Sequence, residues 1–105
     1  MFSKECFSEF MSQQFGIQVV NDNVGEETVL LFKEELDPEL VTEEFLTVAP
    51  EKVLVYSYVF DNEGIEWLVC VASNADTNQP LFLICLKNGE KTHEEVLLLD
   101  MENEK

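Results

Sequence analysis

Phe2, Cys6, Phe7, Phe10 and Met11 recur at the three- and four-residue spacing that lines up side chains on one face of a helix. Ser3 stands where its hydroxyl caps the first open amides, and Phe2 and Phe7 are spaced as a hydrophobic staple across that cap. Gly16 supplies the left-handed residue that ends the helix. From Gly16 to Glu27, short alternation (Ile17, Val19) mixes with turn residues (Asn21, Asp22, Asn23, Gly25), which reads as a connection with a short extended piece.

Thr28 to Phe32 is β-branched and apolar and runs into Lys33, Glu34 and Glu35, which predicts a strand with an exposed, acidic far end. Asp37 and Pro38 then open a second helix, because Asp caps the open amides and Pro is tolerated at the first helical position. Leu40, Val41 and Phe45, flanked by Leu46, form its apolar stripe. Glu39, Glu43 and Glu44 fall on or near the other side.

From Lys52 the pattern changes to period two, with strands predicted at 52–61, 65–73, 80–88 and 93–100. Asp61-Asn62-Glu63-Gly64 and Asn88-Gly89 are antiparallel hairpin chemistry, and Pro80 sits at a strand start where its missing amide does least harm. In Val53 to Phe60 and Leu81 to Leu86 both alternating sets are apolar, so both faces of the sheet should be covered, and two helices are available to cover them. The expected fold is α+β: one domain, a five-stranded, mainly antiparallel sheet and two helices in the order α-β-α-β-β-β-β, with a tail from about residue 101.

A length of 105 residues allows one domain, and 46% hydrophobic residues with eight Phe suffice for a core. Charge changes the picture more. Twenty-two Asp and Glu stand against six Lys and no Arg, a formal net charge of -16. No direct binding to nucleic acid is expected on this balance, and a basic partner is favoured, because the summed field speeds association with a positive surface.

Cys6, Cys70 and Cys85 are odd in number and lack a CxxC pair, and the N-terminus has no signal-peptide pattern, so a cytoplasmic protein with reduced thiols is expected. No apolar run approaches the length that spans a bilayer, so no membrane role is expected. His93, the single histidine, lies in a turn-like stretch from Glu90 to Glu94 and reads as a solvated residue. With no phosphate loop, nucleophile motif or metal-ligand spacing, neither an enzyme nor a cofactor nor a metal is expected. The acidic pairs Glu26-Glu27, Glu34-Glu35, Glu43-Glu44 and Glu94-Glu95 point to alternate faces and build no catalytic dyad by spacing alone.

Recognition by carboxylates remains. Acidic residues along an exposed strand and a neighbouring helix can imitate a row of DNA phosphates, so DNA mimicry is the expectation. The element order resembles the phage-type uracil-DNA glycosylase inhibitors. Leu30-Leu31-Phe32-Lys33-Glu34 is similar to that family's first strand, Pro38 with the acidic residues after it to its second helix, Ser73-Asn74-Ala75, Pro80 and the run to Cys85 to its turn and fourth strand, and Asn88-Gly89-Glu90 to its last hairpin.

The resemblance implies a monomeric DNA mimic that binds a glycosylase 1:1. Glu34, or Glu35 if the register slips by one, would approach the enzyme's DNA-binding region, with Glu39, Glu43 and Glu44 beside it. Asn74 stands where the family would place an acid. The resemblance also implies an apolar pocket, lined by Val41, Phe45, Val69 and Val71 with Leu40, Leu46 and Tyr56 as further members, that captures the wedge side chain the enzyme drives into DNA. Two other classes fit the acidity: an immunity protein or antitoxin that plugs a basic nuclease toxin, and a dimeric secretion chaperone.

Overall fold

The computed structural model describes residues 3–39 and 41–96. Helix α1 (Lys4–Phe15) begins as its sequence dictates: the Ser3 hydroxyl accepts the Cys6 amide at 3.4 Å. It ends at Gly16, whose φ of 67° is cheap for glycine alone, with the Gly16 and Ile17 amides donating back to Ser12 and Met11. The Phe2 half of the proposed staple lies outside the described residues.

Five strands follow, β1 (Gly25–Phe32), β2 (Lys52–Asn62), β3 (Ile65–Asn74), β4 (Pro80–Lys87) and β5 (Glu90–Val96). They form one antiparallel sheet in chain order, with β1 and β5 at its edges. Two-residue loops at Glu63-Gly64 and Asn88-Gly89 close the β2–β3 and β4–β5 hairpins. All four loop residues have positive φ, the combination that matches the twist of the flanking strands. The expected α+β fold with five antiparallel strands and two helices is the observed one.

The sheet separates two cores. On one face Phe7 and Met11 of α1 pack against Tyr58, Phe60, Trp67, Val69, Val71, Leu83 and Cys85, with Phe7 stacked on Tyr58 at 5.7 Å. On the other, Leu36, Phe45 and Ala49 pack against Val53, Ala72, Phe82, Ile84 and Leu86, with Phe45 stacked on Phe82 at 4.9 Å. Every residue from Leu81 to Leu86 is buried, because β4 has helix-covered apolar side chains on both of its faces.

Three boundaries depart from expectation. Helix α2 (Glu43–Val48) starts at Glu43, not at Asp37. Asp37 instead makes a single turn, its carboxylate taking the Glu39 amide at 2.9 Å and its carbonyl the Val41 amide at 3.1 Å. The chain is then recapped by Thr42, whose hydroxyl accepts the Phe45 amide at 3.2 Å. Two good caps compete here, and the later one wins because it turns Phe45 onto Phe82. Lys33, Glu34 and Glu35 form a 3-10 turn and not a strand end. Finally, β5 starts at Glu90, so the stretch read as a turn is strand. Its predicted continuation over 97–100, the tail beyond it and Leu40 lie outside the described residues.

Candidate functional site

Helix α2 has six residues and covers part of its sheet face, while the turns at Lys33–Glu35 and Asp37 carry the chain across the rest. Between these turns and the sheet lies an apolar cavity of about 220 Å³. Leu36 and Val41 line it from the connecting segment, Leu31, Val55, Cys70 and Ala72 with the β4 residues Phe82, Ile84 and Leu86 from the sheet, and Glu35 and Asp37 border it. Both acids are exposed. An apolar cavity of about 150 Å³ already admits a benzene-sized group, so this one has room for an apolar side chain.

The room comes from small residues. Cys70 and Ala72 stand where longer side chains would fill the space beneath Val41. The Cys70 thiol lies 3.6 Å from the Ser57 hydroxyl, and burial pushes its pKa up, so it stays neutral and acts as an apolar wall.

Of the four residues predicted to line a helix–sheet pocket, Val41 alone lines this cavity. Val69 and Val71 belong to the opposite face, fully buried against α1. Side chains alternate along a strand, so the cavity face of β3 carries Leu68, Cys70 and Ala72, one residue out of step with the expectation. Phe45 is fully buried and stacks on Phe82 beneath the helix without reaching the cavity. Leu46 borders a shallower neighbouring depression with Lys33 and Glu34. Tyr56 faces the α1 side, its hydroxyl 2.6 Å from Asn78 Oδ1. The contrast between small Cys70 and Ala72 on one face of β3 and bulky Trp67 on the other was the legible signal.

Of the predicted acidic residues Glu35 alone borders the cavity, Glu34 lines the neighbouring depression, and Glu39, Glu43 and Glu44 line neither. Glu34, Glu39, Glu43 and Glu44 are exposed. Glu35 Oε1 accepts the Phe32 amide at 2.8 Å, so its carboxylate is tied to the backbone at the end of β1. Asn74 is a turn former, its side-chain oxygen accepting the Asp76 and Thr77 amides at 2.8 and 3.3 Å. Lys33, the cation nearest these acids in sequence, points its ammonium at the Thr47 carbonyl in α2's last turn, 3.5 Å away.

His93 is not the solvated turn residue expected. It is half-buried in β5, its ring 5.4 Å from that of Phe10 and its Nε2 3.4 Å from a Glu95 carboxylate oxygen. Among the described residues no group of three His, Cys, Asp or Glu is placed to hold a metal ion, and no helix is long and apolar enough to cross a membrane. No family model matches this chain, and no curated protein or solved structure is significantly similar to it.

Proposed function

We propose that this protein is a DNA mimic that binds uracil-DNA glycosylase one to one and blocks its DNA-binding cleft. The observation that carries this reading is the apolar cavity bordered by Glu35 and Asp37, on a chain of net charge -16. A glycosylase that flips a base drives an apolar wedge into the helix while basic residues hold the phosphates around it. A receptor for that surface needs an apolar hole ringed by negative charge. Here Leu31, Val41, Cys70 and Ala72 supply the hole, Glu35 and Asp37 supply charge at its border, and the exposed Glu34, Glu39, Glu43 and Glu44 add charge on the same stretch of chain. The same acidity is what an immunity protein needs to plug a nuclease toxin, but that function has no need of an apolar hole beside the charge.

The test is excision of uracil from a single-uracil oligonucleotide by a bacterial glycosylase, titrated with this protein at near-physiological salt. Inhibition that saturates at one protein per enzyme is expected. Glu34→Lys should weaken it far more than Glu94→Lys, since Glu94 sits on the opposite edge strand and pairs with Lys91 at 3.3 Å. No inhibition at large excess removes the glycosylase from the reading and leaves the immunity protein in first place. Equal losses from the two reversals would remove the acidic turn after β1 as the contact surface.

A further inference from the structure

Strand β1 has the sequence of a central strand and the position of an edge strand. Thr-Val-Leu-Leu-Phe, from Thr28 to Phe32, is apolar on both of its faces, which is the pattern of a strand covered on both faces, as inner strands are. Yet β1 pairs with β2 alone, and of the large hydrophobic residues left exposed, Val29, Leu30 and Phe32 lie on it and Val59 on its neighbour. From Thr28 to Phe32 it carries none of the devices that guard an edge: no proline, no charged residue, and an unbroken register without a bulge. The other edge, β5, is guarded, with Glu90, Lys91, His93, Glu94 and Glu95 along its seven residues.

The direction of the backbone groups follows from two bonds. The Lys33 amide donates to the Glu51 carbonyl, toward β2, and the Phe32 amide donates to Glu35, away from it. Alternation along an antiparallel ladder then turns the N–H and C=O groups of Glu26, Thr28 and Leu30 outward. Among the described residues no backbone group pairs with them. Charge frames this open segment, with Glu26 and Glu27 at its start and Glu34 just past its end.

We propose that the outer edge of β1 takes up an extended segment of a basic partner protein as a sixth strand. The partner's main chain pairs with Glu26, Thr28 and Leu30, its apolar middle lies against Val29, Leu30 and Phe32, and its cationic flanks meet Glu26, Glu27 and Glu34. Main-chain pairing supplies the attraction and the alternate side chains supply the choice of partner. A second copy of this chain would offer the same strand but brings another -16 of charge, so charge complementarity favours the basic segment. The inference rests on the partner being basic, not on its being a glycosylase.

The test uses a synthetic peptide of roughly nine residues, alternating Val and Thr between paired lysines, together with the same peptide N-methylated at alternate residues. Amide hydrogen exchange is followed at Glu26, Thr28 and Leu30. The parent peptide is expected to slow these amides at least roughly tenfold, with binding that weakens as salt rises, and the methylated peptide to do neither.

Thr28→Pro, which deletes an outward amide and leaves the pairing with β2 intact, should weaken the peptide roughly tenfold, whereas Thr28→Val should not. If Thr28→Pro fails to fold, the methylated peptide carries the test. Equal binding of both peptides, or no protection at millimolar peptide, overturns the proposal. So does a dimer in dilute solution whose β1 amides are protected without peptide, which assigns the edge to a second copy. No glycosylase enters the experiment, so the two readings stand or fall separately.

Discussion

The Glu35 carboxylate lies 2.8 Å from the Phe32 amide, a bond that runs from the turn after β1 back to the last residue of the strand. That one contact ends the open edge of β1, because the Phe32 amide points outward and would otherwise continue it. The same carboxylate borders the apolar cavity. The edge and the cavity are therefore adjacent features with a shared residue, and a partner seated on one lies beside the other.

Glu34 and Glu35 should separate in their effects on stability. Glu35→Ala opens the turn at Lys33–Glu35 and leaves the amide to water, which should cost about 1 kcal/mol in urea unfolding, reduced from a buried charged bond by exposure. Glu34→Ala, exposed and outside that bond, should change stability by less than about 0.5 kcal/mol. Equal losses would mean that the carboxylate bond does not hold the turn.

Filling the cavity should separate binding from folding. Cys70→Leu puts a larger apolar side chain into existing space, so stability should change by less than about 1.5 kcal/mol. Under the proposed function, inhibition of the glycosylase should fall roughly tenfold or more, as when a central anchor loses its pocket. Val71→Ala, on the other face, should do the reverse: unfolding about 1–2 kcal/mol easier, with inhibition per folded molecule unchanged. Inhibition by Cys70→Leu at the level of the unaltered protein would show that the cavity holds nothing in the complex.

Phe45 should behave as core and not as a contact residue. It is fully buried and stacked on Phe82 at 4.9 Å, so Phe45→Ala should cost about 3–5 kcal/mol and lower the melting temperature steeply. Phe45→Leu should recover much of that loss. A melting temperature that barely moves in Phe45→Ala would contradict the packing of α2 on the sheet.

Stability should decline in alkaline solution through buried groups that resist ionisation. Burial, followed by the nearby Glu26 carboxylate, pushes the Tyr58 hydroxyl up to about 12 from its ordinary 10.0. The folded state thus holds its proton where the unfolded chain loses it. The stabilisation is fully present below pH 10 and is lost as pH rises toward 12, on the order of 2 kcal/mol in all.

Burial also raises the Cys70 and Cys85 thiols, which adds a loss of the same sign that begins at lower pH, where the unfolded thiols ionise. Urea titrations from pH 8 to 11 should show the decline, and Tyr58→Phe should remove its upper part. Absorbance at 295 nm follows the tyrosinate directly. A Tyr58→Phe protein with an unchanged pH profile would assign the whole decline to the thiols.

Local chemistry made much of this fold legible. Ser3 and Gly16 bracket α1, and Asn88-Gly89 and Glu63-Gly64 fix two hairpins, because caps and positive-φ turns depend on a few neighbouring residues. Position 37 misled for the same reason: Asp37-Pro38 is a competent helix start, and Thr42 prevails only because Phe82 lies in reach of Phe45. His93 misled because nothing in Glu90 to Glu94 announces that Phe10 of a distant helix will cover its ring.

Sequence by itself determined the class of the molecule: its acidity, its strands and reversals, and the two apolar sets that demand a helix on each face of the sheet. Tertiary structure alone decided which set meets which helix. Leu68, Cys70 and Ala72 are as apolar as Val69 and Val71, so periodicity could not choose between them. The choice was made by volume: α1 brings Phe7 and Met11 onto the face of Trp67, Val69 and Val71, while six-residue α2 leaves space over Cys70 and Ala72. A cavity is the difference between what two elements offer and what the gap between them needs, and that difference is not a property of either stretch of sequence.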